Sequence, residues 1–212
     1  MIVVEGPDGA GKSILVRRLC QEFNLEPEKR VVDKDTNPID DVSLKGWVDE
    51  DLKAWPRAAI YDRHRLISEP IYAPIMRGRL ADGFEDPIWF ARQLNAFWRI
   101  HPIVIYCLPP PDEVARNVMR AETENEAVCR SIATIYWMYH INFCQNTFRE
   151  NVMSWDYTQD IFGDFMHHVK FMIKEQFSHH VPVINRYFPN VGKTTSTPVE
   201  DNKERSKRFG WR

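Results

Sequence analysis

Short apolar runs alternate with longer amphipathic segments from Met1 to Phe177. The apolar runs predict five short strands, at Ile2–Glu5, Arg30–Asp33, Ala58–Tyr61, Ile103–Leu108 and Val152–Tyr157. Helical spacing of apolar residues between them predicts helices at Ser13–Phe23, from Asp86 onward, and at Asp112–Arg120, Asn125–Arg149 and Ile161–Phe177. Buried strands that alternate with helices indicate a parallel sheet covered on both faces, so the predicted class is α/β.

Composition favours one folded domain followed by a polar tail. Of the 212 residues, 43% are hydrophobic and 27% are charged, a balance that excludes a disordered protein and a coiled coil. Residues 190–212 are polar with an excess of basic side chains, which predicts a disordered tail after a domain spanning residues 1–189. The net charge of −2 excludes a generally basic nucleic-acid-binding protein, although a basic tail can contact nucleic acid.

Cysteine usage and the length of the apolar runs indicate a cytoplasmic protein. The four cysteines are scattered through apolar stretches without a CxxC pair, which predicts reduced thiols rather than disulfides or zinc ligands. No apolar run is long enough to span a bilayer, and the first residues lack the pattern of a secretory signal. We therefore expect a cytoplasmic location and no membrane partner.

A phosphate-binding loop is the strongest motif in the chain. Gly6–Ser13 matches G-x-x-x-x-G-K-[ST] at every fixed position, between a predicted strand and a predicted helix. Its backbone N–H groups are expected to surround the phosphates of ATP, with Lys12 reaching the β- and γ-phosphates and Ser13 binding Mg²⁺. The predicted ATP-binding residues within this loop are Gly6, Gly9, Ala10, Gly11, Lys12 and Ser13.

A charged trio follows the strand predicted at Ala58–Tyr61. Asp62, Arg63 and His64 stand at its carboxyl end, where parallel α/β sheets bind ligands. Asp62 is expected to hold Mg²⁺ with Ser13, because a carboxylate there can bind the ion through water, and an arginine can bind phosphate oxygens. The alternative is a surface ion pair that caps the strand.

The chain resembles the thymidylate kinase-like group of nucleoside and nucleotide kinases. The resemblance rests on Val4–Ser13, on Asp62–His64 with Ser68 and Tyr72 behind it, and on Ile105–Pro110 leading into an arginine-bearing helix. It covers most of the chain before the tail. It implies a three-layer P-loop kinase fold with a five-stranded parallel sheet, ATP and Mg²⁺ as cofactors, and phosphoryl transfer to a nucleotide-like acceptor.

The resemblance also implies roles for single residues on the acceptor side. Asp8 would contact the acceptor sugar or phosphate, and Arg63 would bridge the donor and acceptor phosphates. We add His64 and Tyr72 to the acceptor site. One further arginine, Arg120, completes the expected catalytic set. That set is Lys12, Asp62, Arg63 and Arg120.

That further arginine is expected from a short lid near residues 116–130. Members of the group carry it either in the phosphate loop or in a lid, and the loop position here is Gly9. Arg120 is the first candidate, while Arg116, four residues earlier on the same helix face, is expected to bind ATP. The alternative is a solvated helix face whose arginines pair with neighbouring glutamates.

The acceptor side departs from the family pattern. Asp33–Pro38 does not match the segment that usually binds the acceptor, and the stretch from there to Asp62 is shorter than in ordinary thymidylate kinases. The acceptor site should therefore be more open. Trp47 is expected to stack on the acceptor base together with Trp55, or else both tryptophans pack a small helical connection.

Three functions follow, in order of preference. The first is transfer of the γ-phosphoryl of ATP to a deoxynucleotide, with a pyrimidine monophosphate as the favoured acceptor. The second is phosphorylation of the hydroxyl of a 5-hydroxymethyl pyrimidine within DNA, as in phage kinases that resemble this group. The third is a nucleotide-dependent switch module. The expected partner is thus a nucleotide or DNA with a modified base, and a homodimer stays open.

Overall fold

The computed structural model describes residues 1–28, 44–55, 57–81, 83–121 and 125–176. These residues form an α/β fold with one parallel sheet. Its strands are β1 (Ile2–Glu5), β2 (Ile60–Asp62), β3 (Ile103–Cys107) and β4 (Val152–Trp155), in the order β2-β1-β3-β4. The helices are α1 (Lys12–Phe23), α2 (Leu44–Lys53), α3 (Arg65–Arg77), α4 (Pro87–Arg99), α5 (Pro111–Arg120), α6 (Glu126–Asn146) and α7 (Phe162–Gln176).

The sheet lies inside the core, as the apolar runs predicted. Every residue of β1 and β3 is buried. Because successive strand residues point to opposite faces, uninterrupted burial means that both faces of these strands are covered. β1 pairs in parallel with both β2 and β3, with Val4 opposite Asp62 and Glu5 opposite Tyr106. The loop after β1 and the turn after β2 therefore emerge side by side at the carboxyl edge of the sheet.

The described sheet has four strands, not the five that we predicted. The strand predicted at Arg30–Asp33 falls outside the described residues. Immediately before that segment, Pro27 forms a parallel bridge with Ile60, and the Glu28 N–H donates to the Ile60 carbonyl at 2.8 Å. The chain up to Glu28 therefore already runs parallel to β2 along its outer edge.

Two helices, α2 and α3, were not predicted from the sequence. α2 was considered only as a helical connection, and α3 contains Pro70 and Pro74, residues that argue against a helix interior. α3 nevertheless begins at a capped turn, because the His64 Nδ1 accepts the Leu66 N–H at 3.3 Å. α4 begins as predicted, with the Asp86 carboxylate accepting the Ile88 and Trp89 N–H groups ahead of the first turn.

Several sequence predictions concern segments beyond the described ones. The tail at residues 190–212 and residues 122–124 of the predicted lid belong to this group. Within the described part of the chain, no helix combines the length and apolar character needed to cross a membrane. All four cysteines are free, and Cys20 and Cys107 are buried.

Candidate functional site

The phosphate loop joins β1 to α1 in a conformation that glycine makes possible. Gly9 has a φ of 76°, and a Cβ built there would lie 2.8 Å from the Val114 carbonyl oxygen and 2.9 Å from the Val118 side chain. Both contacts belong to α5. The loop therefore packs so closely against α5 that no side chain fits at position 9, an arginine included.

A side-chain contact ties α5 to this loop. The Asn117 amide donates to the Gly9 carbonyl at 2.9 Å and to the Tyr157 hydroxyl at 2.8 Å. The Tyr157 ring in turn covers Gly11, where a Cβ would approach it to 3.0 Å. Neither residue was predicted from the sequence. The position of Tyr157 just after β4, at the same edge of the sheet, was the available signal for it.

Lys12 lies beneath the loop and is only 6% exposed. Its Nζ donates to the Pro7 carbonyl at 2.5 Å and stands 3.9 Å from an oxygen of Asp8. Burial, together with the charge of Arg63, lowers the pKa of Lys12 to about 8. Asp8 balances the charge of the Lys12 ammonium only in part. Phosphate oxygens bound by the loop would supply further negative charge.

Ser13 and Asp62, the two residues predicted to bind Mg²⁺, contact each other, and their role toward the metal stays a prediction. The Ser13 hydroxyl donates to Asp62 Oδ2 at 3.2 Å, while the buried Asp62 Oδ1 has no hydrogen-bond partner in the described part of the protein. A hydroxyl beside an unpaired carboxylate oxygen fits Mg²⁺, which prefers oxygen ligands and keeps several waters. Among the described residues, no group of three or more His, Cys, Asp or Glu could hold a metal ion. Further ligands would therefore come from water and phosphate.

Asp8, Arg63 and Tyr72 form a closed triangle beside the loop. Arg63 Nη2 donates to Asp8 Oδ1 and to the Tyr72 hydroxyl, each at 2.5 Å, and that hydroxyl donates to Asp8 Oδ2 at 2.9 Å. Burial alone would raise the pKa of Asp8, but the charges of Arg63 and Lys12 hold it below its usual range. The Arg63 Nε is buried without a hydrogen-bond partner among the described residues.

His64 does not join this triangle. Its side chain is 0% exposed, and its Nε2 lies 3.2 Å from Asp51 Oδ2 while its Nδ1 caps α3. The ring also packs against Phe97, with 4.7 Å between the ring centroids. The predicted acceptor role of His64 has no support in this geometry, because both ring nitrogens have partners among the described residues and the side chain is not exposed.

Trp47 packs a helical connection, which is the alternative to stacking on a base. It is half-buried on α2, and its ring lies 5.6 Å from His64 and 6.3 Å from Tyr61 between centroids. Trp55 also packs against the core. The two tryptophans thus hold the connection between α2 and β2 to the core in the described structure, and the predicted stacking of Trp47 on a base has no counterpart there.

The candidate lid arginines lie at the surface. Arg116 is 58% exposed and pairs with Glu113 one turn earlier on α5, and Arg120 is exposed at the last position of that helix. Arg130 pairs with Glu126 in the first turns of α6. This is the arrangement expected of a solvated helix face, and the roles of Arg116 and Arg120 toward ATP stay predictions.

Comparison with known proteins identifies a shared fold. No protein-family model matches the chain, and no curated protein matches it. Among solved structures, YorR of Bacillus subtilis, in complex with phosphorylated GDP, is 17% identical over 84% of this chain and 97% of its own, with a TM-score of 0.58.

Two structures of deoxyadenosine kinase from M. mycoides match more loosely. The complex with dCTP is 15% identical over 84% of this chain and 100% of its own, with a TM-score of 0.43. The complex with the products dCMP and dCDP is 16% identical over 84% and 98%, with a TM-score of 0.45. Because its TM-score is the higher one, the likeness to YorR is the evidence for a common α/β fold.

Proposed function

We propose that this protein is an ATP- and Mg²⁺-dependent phosphotransferase whose acceptor is a deoxynucleotide, with a pyrimidine nucleoside monophosphate as the first candidate. One observation carries the proposal. The phosphate loop and the Asp8–Arg63–Tyr72 triangle meet at the carboxyl edge of β1 and β2, where Asp8 lies 3.9 Å from Lys12 and 2.5 Å from Arg63. A group of the donor site and a group of the acceptor site thus share one carboxylate. The complex of YorR with phosphorylated GDP supports a nucleotide ligand for this fold.

On the donor side, the loop would bind the phosphates of ATP. Lys12 would contact the β- and γ-phosphates, with the loop N–H groups around them. Ser13 and Asp62 would hold Mg²⁺, which would neutralise charge on the phosphate oxygens. Since the Asp62 Oδ1 lacks a hydrogen-bond partner among the described residues, this oxygen is available for a metal-bound water.

On the acceptor side, Arg63 would bind the acceptor phosphate. Its unpaired Nε offers a donor that no described residue uses, and its Nη2 is already directed by Asp8 and Tyr72. An acceptor phosphate oxygen would then attack the γ-phosphorus while the bond to the bridging oxygen of ADP breaks. Transfer of this kind depends on positioning and charge neutralisation, so a strong base is unnecessary.

The test is a survey of acceptors with ATP and Mg²⁺. ADP release is measured for each nucleoside and deoxynucleoside monophosphate, and the phosphorylated product is identified by mass spectrometry. We expect a pyrimidine deoxynucleoside monophosphate to raise turnover above background, and Lys12→Ala to lower that turnover by about 10²-fold or more. If no monophosphate raises turnover, the proposal is wrong.

Two further arms separate the other candidate functions. Transfer of label from γ-labelled ATP into DNA containing hydroxymethyluracil, without transfer to free nucleotides, would replace the acceptor by a base hydroxyl, with Asp62 as the nearest candidate base. Binding of ATP without transfer to any acceptor, together with a protein partner that binds only in its presence, would indicate a switch module instead.

A further inference from the structure

Glu5 is a buried carboxylate that the proposed reaction does not use. It ends β1, directly before the phosphate loop, and is 0% exposed. One oxygen accepts the backbone N–H of His64 at 2.6 Å, and the other accepts the hydroxyl of Tyr139 at 3.1 Å. Its two oxygens thus connect the turn after β2 with the middle of α6.

The turn that Glu5 holds carries Arg63 in an unusual conformation. Arg63 has a φ of 72°, in a region that residues with a side chain rarely adopt and keep only when their surroundings enforce it. Its own N–H donates to the Val4 carbonyl at 2.9 Å, and the next N–H donates to Glu5. Two successive residues of β1 therefore hold the two N–H groups that flank the Arg63 Cα.

We infer that Glu5 is a positioning residue, which with Tyr139 holds this turn so that the Arg63 guanidinium points at Asp8 and Tyr72. The inference rests on the proposed function, because it concerns the aim of Arg63 at the phosphates. The feature that matters is the hydrogen-bond geometry and not the charge. Burial raises the pKa of Glu5 to about 7, so the neutral form is less disfavoured here than in an exposed glutamate.

A glutamine fits the same role. Its carbonyl oxygen can accept the His64 N–H, and its amide can donate to the Tyr139 hydroxyl, which then rotates to accept. Alanine removes both contacts and leaves a buried backbone N–H without a partner. Aspartate keeps the carboxylate but withdraws it by one methylene from both donors. These three variants separate geometry from charge.

Glu69 offers a matched control away from the turn. It is also buried, at 2% exposure, and also accepts one backbone N–H, from Ala81 at 2.9 Å, and one side-chain donor, from Arg77. Its two partners lie outside the Arg63 turn, whereas Glu5 accepts the His64 N–H of that turn. Glu69→Ala should therefore lower the melting temperature without changing the KM for the acceptor.

The experiment measures steady-state kinetics, ATP affinity by calorimetry and melting temperature for these variants. We expect Glu5→Ala to lower kcat/KM for the acceptor by about 10- to 100-fold, chiefly through KM, with ATP affinity within about twofold, since misplacing a positioned group has effects of this size. Glu5→Gln should stay within about threefold of the parent. A role confined to stability would reduce the active fraction and leave KM unchanged, and that result overturns the inference.

A second readout needs no activity. Amide hydrogen exchange at Arg63 and His64 should accelerate about tenfold or more in Glu5→Ala relative to the rest of β1 and β2, and stay protected in Glu5→Gln. Unchanged exchange overturns the inference even if the parent protein proves inactive, whereas an inactive parent overturns only the proposed function. Where Glu5→Ala does not fold, Glu5→Asp takes its place, and parent-like kinetics in that variant also overturn the inference.

Discussion

Two hydrogen-bond networks meet at the turn after β2, and neighbouring residues belong to different ones. His64 belongs to a network in which both of its ring nitrogens and both oxygens of Asp51 have partners, including the Tyr61 hydroxyl at 2.6 Å. Arg63 belongs to the other, with Asp8 and Tyr72, and its buried Nε has no partner among the described residues. The Asp51 network ties α2 to the sheet, although the Arg57 Nε at its edge also lacks a partner there, whereas the Arg63 network lies beside the phosphate loop.

The largest effect on stability is expected from breaking the network around Asp51. Asp51→Ala leaves the buried His64 Nε2 and the Tyr61 hydroxyl without an acceptor, so we expect it to lower the free energy of unfolding by about 3–5 kcal/mol. Chemical denaturation measures this loss. Activity per folded molecule should change only a few-fold, and a loss of activity as large as the loss of stability would contradict the division into two networks.

A large loss of activity per folded molecule is expected from breaking the network of Arg63, Asp8 and Tyr72. Arg63→Ala should lower kcat/KM for the acceptor by about 10² or more, because it removes the charge that we propose binds the transferred phosphates. Its melting temperature should fall as well, because Arg63 is buried and its loss removes the ion pair with Asp8. Steady-state kinetics and a melting curve on the same preparation check both statements. Full activity with a lower melting temperature would move Arg63 into the structural group.

The arginines of α5 extend the comparison to an exposed surface. Arg120→Ala should lower kcat by about 10²–10³ with little change in ATP affinity, because a cation that meets charge only in the transition state contributes to turnover and not to binding. Arg116→Ala, which removes a residue paired with Glu113, should cost less. Weaker ATP binding with unchanged turnover in Arg120→Ala would make this residue part of the donor site.

The smallest effect concerns the pH dependence of stability. Burial raises the pKa of Glu5 from 4.5 to about 7, so its neutral form is favoured in the folded protein. Its contribution is complete below the unfolded value and is lost as the pH rises through about 7, by about 3 kcal/mol at most. Denaturation of the parent and of Glu5→Gln from pH 5 to pH 8 isolates it. Parallel stability curves would contradict the shift.

The parts of the site that sequence could predict are those made by local pattern. The motif at Gly6–Ser13 is enough to predict a phosphate-binding loop. The position of Asp62 at the end of an apolar run was enough to predict that it lies beside Ser13. His64 was placed on the acceptor side because it stands next to Arg63 in the sequence, whereas in the fold its ring packs against Asp51 and Phe97.

The parts that sequence could not predict depend on contacts between distant segments. Glu5 and Tyr139 are 134 positions apart, and nothing near either residue indicates the other. α3 was missed because Pro70 and Pro74 oppose a helix locally, while its burial against the core outweighs that preference. Asn117 directly follows Arg116 on α5, but only the fold brings it to Gly9.

The close contact between Gly9 and α5 also limits how this site can change. An arginine at position 9 would displace α5 by the contact with Val114 and Val118 before it could offer a charge of its own. A single substitution at Gly9 therefore cannot place an arginine in the loop without moving α5. In protein engineering, such an exchange requires Gly9 and the facing residues of α5 to be redesigned together.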